Sequence, residues 1–130
     1  MARIFLTHCS AKKATDTGTA VAPDLLYTAT PTQRFIRRCK DVNVSWAIFS
    51  DLYGVWFPDV RHRWYEKDPS TVTESEFSAL LRDFDAKLST YSEIYFYCNP
   101  GRFHPLYRRL LQESALKARI ALITHLWDIL

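Results

Sequence analysis

The stretch Arg3-Ile4-Phe5-Leu6-Thr7-His8, running directly into Cys9-Ser10-Ala11-Lys12-Lys13, decides how the remainder is read. Ile4, Phe5 and Leu6 are contiguous rather than alternating. That pattern suits a strand covered on both faces, as in a parallel sheet. Three later stretches repeat it: Val44 to Ser50, Ser92 to Cys98 and Arg119 to Thr124. Helical signals lie between them. Thr30-Pro31 reads as an N-cap followed by proline at the first helical position, opening a helix to about Lys40. Thr73-Glu74-Ser75-Glu76 fits a capping box, and Phe77, Leu80, Leu81, Phe84 and Leu88 continue at helical spacing to about Thr90. Pro105 opens a third helix, with Leu106, Tyr107, Leu110 and Leu111 on its inner side.

Strands alternating with helical crossovers imply parallel neighbours joined by right-handed connections. The expected architecture is therefore a three-layer α/β/α sandwich with a mainly parallel four-stranded sheet, forming one domain over residues 1–130. Cys9 to Thr30 and Asp51 to Val72 are expected as long loops, and Asn99-Pro100-Gly101 as a turn.

Composition narrows the function classes. With 48% apolar and 15% aromatic residues the chain is not disordered, and no apolar run reaches the length of a membrane span. Met1-Ala2-Arg3 and the short apolar run behind it do not make a secretory signal. Seventeen Lys and Arg against fourteen Asp and Glu give +3, a balance that tolerates an anionic partner without demanding one. Cys9, Cys39 and Cys98 cannot all pair, so free thiols in a reducing cytoplasm are expected. Only three glycines occur, and a Gly-rich phosphate loop is absent. P-loop NTPases, kinases and typical Rossmann dehydrogenases are excluded on that ground.

In open α/β sheets ligands sit beyond the carboxyl ends of the strands. Those ends deliver Cys9, Ser10, Lys12 and Lys13; then Ser50, Asp51, Tyr53 and Gly54; then Asn99, Gly101 and His104. Lys12 and Lys13 suit phosphate as point charges, or are a solvated loop pair. Cys9 is a nucleophile if cations lower its pKa, and otherwise a small buried hydrophobe. Asn99 has edges suited to a nucleobase, but also begins an ordinary Asn-Pro turn, while Gly54 and Tyr53 can serve a turn and packing alone. Asp51 and Asp68 are each candidates for a general base or for stabilising a cationic sugar intermediate. His8, Cys9, Cys98 and His104 match no zinc spacing, so neither a metal nor another cofactor is expected. The aromatic loop with Trp56, Phe57, Trp64 and Tyr65 suits base stacking, a lid or an interface. Arg34, Arg37, Arg38 and Lys40, with Arg61, Arg63, Arg102, Arg108 and Arg109, suit solvation or a phosphate-tracking surface.

Taken in order, Cys9-Ser10-Ala11-Lys12-Lys13, Leu26-Tyr27 and Ser50-Asp51-Leu52-Tyr53-Gly54 carry a resemblance. The set resembles a family of small bacterial and phage domains with a C-x-x-K-K, L-Y, S-x-x-Y-G pattern. A family Tyr-Asp step is similar to Tyr65 and Asp68, which are not adjacent here, and a late Gly-to-Tyr element is similar to Gly101 and Tyr107. The chain also resembles the uracil-DNA-glycosylase-like domain of archaeal tRNA-guanine transglycosylase and archaeosine synthase. There the likeness lies in Tyr53-Gly54-Val55-Trp56-Phe57-Pro58, one residue longer than a Y-G-x-x-P step. Together the short motifs span roughly residues 3 to 107.

The resemblance implies a nucleobase- or nucleoside-handling domain, with Cys9, Ser10, Lys12, Lys13, Tyr27, Ser50, Tyr53, Gly54, Gly101 and Tyr107 at its site. The Gly-Gln-Asp-Pro-Tyr and His-Pro-Ser-Pro loops of true uracil-DNA glycosylases are missing; His104-Pro105 is the nearest stretch. Base excision by their mechanism is not implied. The leading expectation is a nucleobase- or nucleotide-binding domain acting as an N-glycosidase or base-modification enzyme, with nucleotide, nucleoside or nucleic acid as partner. The alternatives are a noncatalytic RNA- or DNA-binding accessory module and a protein-interaction subunit, the chain being monomeric or a homo-oligomer. For the leading expectation, the tips bearing the two lysines, the Tyr53-Gly54 step and the Asn99-to-Gly101 bend must meet around one pocket.

Overall fold

The computed structural model describes residues 2–98 and 103–130. Its centre is a five-stranded sheet of order β3-β2-β1-β4-β5. The strands are β1 (Arg3–His8), β2 (Trp46–Ser50), β3 (Gly54–Trp56), β4 (Glu93–Tyr97) and β5 (Ile120–Ile123). β2, β1, β4 and β5 run parallel, as their unbroken apolar runs require, and β3 pairs antiparallel with β2.

The sheet thus has one strand more than the four expected. Gly54–Trp56 is only three residues long and falls inside the segment expected as loop. Too short for any periodicity, it is a strand because the turn before it forces it back on β2. Ser50 Oγ accepts from the backbone N–H of Leu52 at 3.1 Å and of Tyr53 at 3.0 Å, and Gly54 takes φ +76°. A side chain at Gly54 would be strained in that conformation and would also collide with the Asp83 carboxylate.

Among the described residues four α-helices accompany the sheet: α1 (Pro23–Leu26), α2 (Thr30–Asp41), α3 (Glu74–Lys87) and α4 (Pro105–Glu113). The short α1 also interrupts a segment expected as loop. Thr30 is not the N-cap of α2. Ala29 holds that position with no side-chain hydrogen bond, and Pro31 follows in the first turn. In α3 the capping box is complete: Thr73 Oγ1 accepts from Glu76 N at 3.1 Å, and Thr73 N donates to Glu76 Oε1 at 2.9 Å.

Register divides the helices between the sheet faces. Thr7 and Tyr97 are partners across β1 and β4, and Phe35 of α2 stacks on Tyr97 with ring centroids 5.8 Å apart. His8 and Phe49 are partners on the opposite face, because side chains alternate along a strand. There Phe49 meets Phe84 of α3 and Tyr107 of α4 edge-on. Ile4, Leu6, Ile48, Phe49, Ile94 and Phe96 are buried at the centre. From β1 the chain crosses to β2 on one side, and it later returns to β4 on the other. The topological switch therefore lies at the carboxyl ends of β1 and β4, where a ligand crevice belongs. Among the described residues no helix is long and apolar enough to cross a membrane.

Candidate functional site

A cavity of about 420 Å³ opens at the carboxyl ends of β1 and β2. Its walls come from the β1 end, the β2 end, the segment from Glu66 to Pro69 and the start of α4. Of the residues expected at a site, Cys9, Ser10, Lys13, Asp51, Asp68, His104 and Tyr107 all line it. A second cavity of about 430 Å³ lies at the β1/β4 switch and shares His8 and Ser10 with the first.

Asp51 is the unusual group. Only 2% exposed, it has no hydrogen-bond partner on either carboxylate oxygen among the described residues. Burying a carboxylate without partners is costly, and such groups neutralise or await one. Burial accordingly raises the Asp51 pKa above the ordinary carboxyl value, while the Cys9 thiol, the Lys13 cation, the Tyr65 hydroxyl and the Lys67 cation pull it down.

Around it the polar groups are held firmly. The ring of His8 stacks on Tyr107 at 4.9 Å, and its Nδ1–H donates to the Cys9 carbonyl at 2.8 Å. A carbonyl only accepts, so Nε2 carries the lone pair, and it too is buried without a partner among the described residues. Burial lowers the His8 pKa, outweighing the raising effect of that hydrogen bond and helped in smaller part by the nearby His104, so the imidazole is neutral at pH 7. Cys9 Sγ lies 3.2 Å from the Tyr107 hydroxyl. Burial, and next the Asp51 charge, lifts the thiol to about 11. Cys9 is therefore a buried thiol, without the lowered pKa that a nucleophile needs.

Asp68 is the opposite of Asp51. Exposed, it accepts from Ser70 N at 2.9 Å and Ser70 Oγ at 2.7 Å, capping the 3₁₀ turn Pro69–Thr71. The Ser70 amide holds its pKa below the ordinary value. One cavity thus has a carboxyl pushed towards the neutral form and another kept ionised, the divergence that marks acid and base roles.

The other described residues expected at a site do not line the cavity. Lys12 is exposed and outside the lining, whereas Lys13 lies with its ammonium 4.7 Å from the centroid of the Tyr65 ring. Tyr27 and Ser50 are buried behind the wall, both bonded to the Tyr65 hydroxyl, with Ser50 donating at 2.9 Å. Tyr53 stacks on His62 at 3.9 Å and donates its hydroxyl to the Arg63 carbonyl at 2.9 Å, so it braces the aromatic loop. Gly54 serves the turn. Asn99 and Gly101 lie outside the described residues. Of the three tips expected to meet, the first reaches the cavity with Lys13 but not Lys12, and the Tyr53-Gly54 step packs elsewhere.

Sequence reading passed over Lys67 and gave His8 no role beyond a metal-site candidate. Lys67, paired with Glu76 at 3.3 Å, lines the cavity, and the polar run Glu66-Lys67-Asp68 inside an aromatic loop was the available signal. No group of three metal-ligating side chains occurs among the described residues. Part of the basic surface is engaged internally, while Arg34 and Arg37 of α2 are exposed. Lys40 pairs with Asp24, Arg38 donates to the Ile129 carbonyl, and Arg109 grips Glu74 and Glu113. No family model, curated protein or solved structure matches this chain.

Proposed function

We propose that the cavity at the β1 and β2 ends binds a nucleobase-bearing ligand, and that the chain acts on the bond between the base and its sugar. The reading rests on one observation: Asp51 lines the cavity with two buried, unpartnered oxygens. Such a group calls for N–H or O–H donors, which nucleobases and sugars supply. His8 Nε2 asks for a further donor, and Lys13 and Lys67 supply positive charge for a phosphate.

In this role Asp51 holds the base, and ionised Asp68 stabilises the positive charge that develops on the sugar. The C1′–N bond breaks with its electron pair going to the base. Water adds to C1′, and the proton it loses ends on the base nitrogen. With α2 on one sheet face and α3 and α4 on the other, we read the architecture as a three-layer α/β/α sandwich. The three free cysteines suit a reducing, cytoplasmic setting.

The test is titration calorimetry of the full chain against nucleosides and nucleoside monophosphates, with chromatographic detection of released base. Binding that Lys13→Ala weakens about tenfold, and base release that Asp68→Asn lowers while affinity holds, are the expected results. Failure of every nucleoside and nucleotide to bind overturns the reading.

A further inference from the structure

We infer that Asp51 recognises the Watson–Crick edge of guanine, making a guanine nucleotide the ligand of the cavity. This deepens the proposed function and rests on it. Both Asp51 oxygens are unpartnered among the described residues, so the site offers two acceptors side by side on one planar group. Filling both at once takes two adjacent N–H donors.

The four common bases differ in this respect. Adenine sets its amino group beside a ring acceptor, and cytosine does the same. Uracil has a single N–H between two carbonyls. Guanine alone presents N1–H beside the N2 amino group, which matches a carboxylate donor for acceptor. A charge-assisted pair of this kind is stronger and more directional than a neutral one.

Two features of the surroundings agree. Lys13 and Lys67 line the same cavity, and their charges oppose part of the burial effect that raises the Asp51 pKa. His8 Nε2 adds a third acceptor, because its Nδ1 is already committed to the Cys9 carbonyl. The described wall thus sets these acceptors beside the Lys13 ammonium, suited to O6 or phosphate, while the Lys67 ammonium is shared with Glu76 at 3.3 Å. The Asp51 oxygens are closed to water, so the proposed pairing requires the carboxyl to turn into the cavity.

Calorimetry with GMP, IMP, AMP, CMP and XMP on the full chain tests the assignment. GMP should bind about ten- to a hundredfold more tightly than IMP, which lacks the N2 donor and leaves one buried oxygen unpaired. Asp51→Asn exchanges one acceptor for an N–H donor. It should weaken GMP by a similar factor and make XMP, whose C2 carbonyl accepts, the preferred ligand. Near-ultraviolet circular dichroism checks that the variant is folded, and the GMP-to-IMP ratio needs no variant. Equal affinity for GMP and IMP, tighter binding of AMP or CMP, or GMP preference retained in Asp51→Asn overturns the assignment while leaving a nucleotide site standing. Binding of no nucleotide overturns both.

Discussion

At the β3 side of the sheet Gly54, Val55 and Trp56 are all buried, and Asp83 of α3 accepts from Val55 N at 2.7 Å. At the β5 side Ala121 and Leu122 are exposed, Leu122 by 50%, and Trp127 beyond them by 68%. The two outer strands are of similar length, so length does not separate them. The difference is cover. A hairpin turn and α3 close the first, whereas neither face of β5 is fully covered by described residues. The buried, unpartnered carboxyl sits at the closed side, next to the hairpin turn. A group so costly to bury is tolerated only where surrounding packing over-determines its position.

Substitutions at the two sides should therefore have unequal effects. The largest loss is expected for Phe49→Ala, which empties a site between Phe84 and Tyr107: about 3–5 kcal/mol by denaturant titration. Leu122→Ala at the open side should lie within about 0.5 kcal/mol of the parent. Similar losses at both would break the comparison. Next comes Gly54→Ala, at about 3 kcal/mol, because a left-handed conformation and the Asp83 contact are lost together.

A gain rather than a loss is expected for Asp51→Asn, about 1–3 kcal/mol at pH 7. Burial raises the folded-state pKa, so the ionised carboxyl opposes folding above the unfolded-state value. The advantage of the amide should shrink as pH falls through the carboxyl range, where both states hold the proton. Thermal melts at pH 3 and pH 7 check the sign, and an advantage that grows on acidification would refute it. The smallest effect sharpens the picture of α3 as the closing element: Thr73→Ala removes half of its capping box and should cost about 1 kcal/mol. Hydrogen exchange at the Val55 amide should then quicken before that of the β4 amides.

Much of this organisation was legible in residue order. Unbroken apolar runs marked the four parallel strands, the pattern of strands covered on both faces, although β5 keeps such a run without full cover. The Thr73-to-Glu76 box and Pro105 marked two helix starts because capping is local chemistry. The strand-end rule placed Cys9, Ser10, Lys13 and Asp51 at a shared rim, and all four line the same cavity.

Other features depended on contacts between distant segments. β3 needed a hairpin turn and a docking helix, neither visible within three residues. Tyr53 was drawn away from the cavity by His62 and the Arg63 carbonyl, and Lys67 was brought in by the path of the aromatic loop. Residue types and their spacing by themselves determined the parallel α/β framework and the polar character of its rim, because both follow from short-range pattern. Which of those polar groups became stranded without partners was decided by tertiary structure alone. Desolvation is a property of everything packed around a group, and no local stretch of chain encodes it.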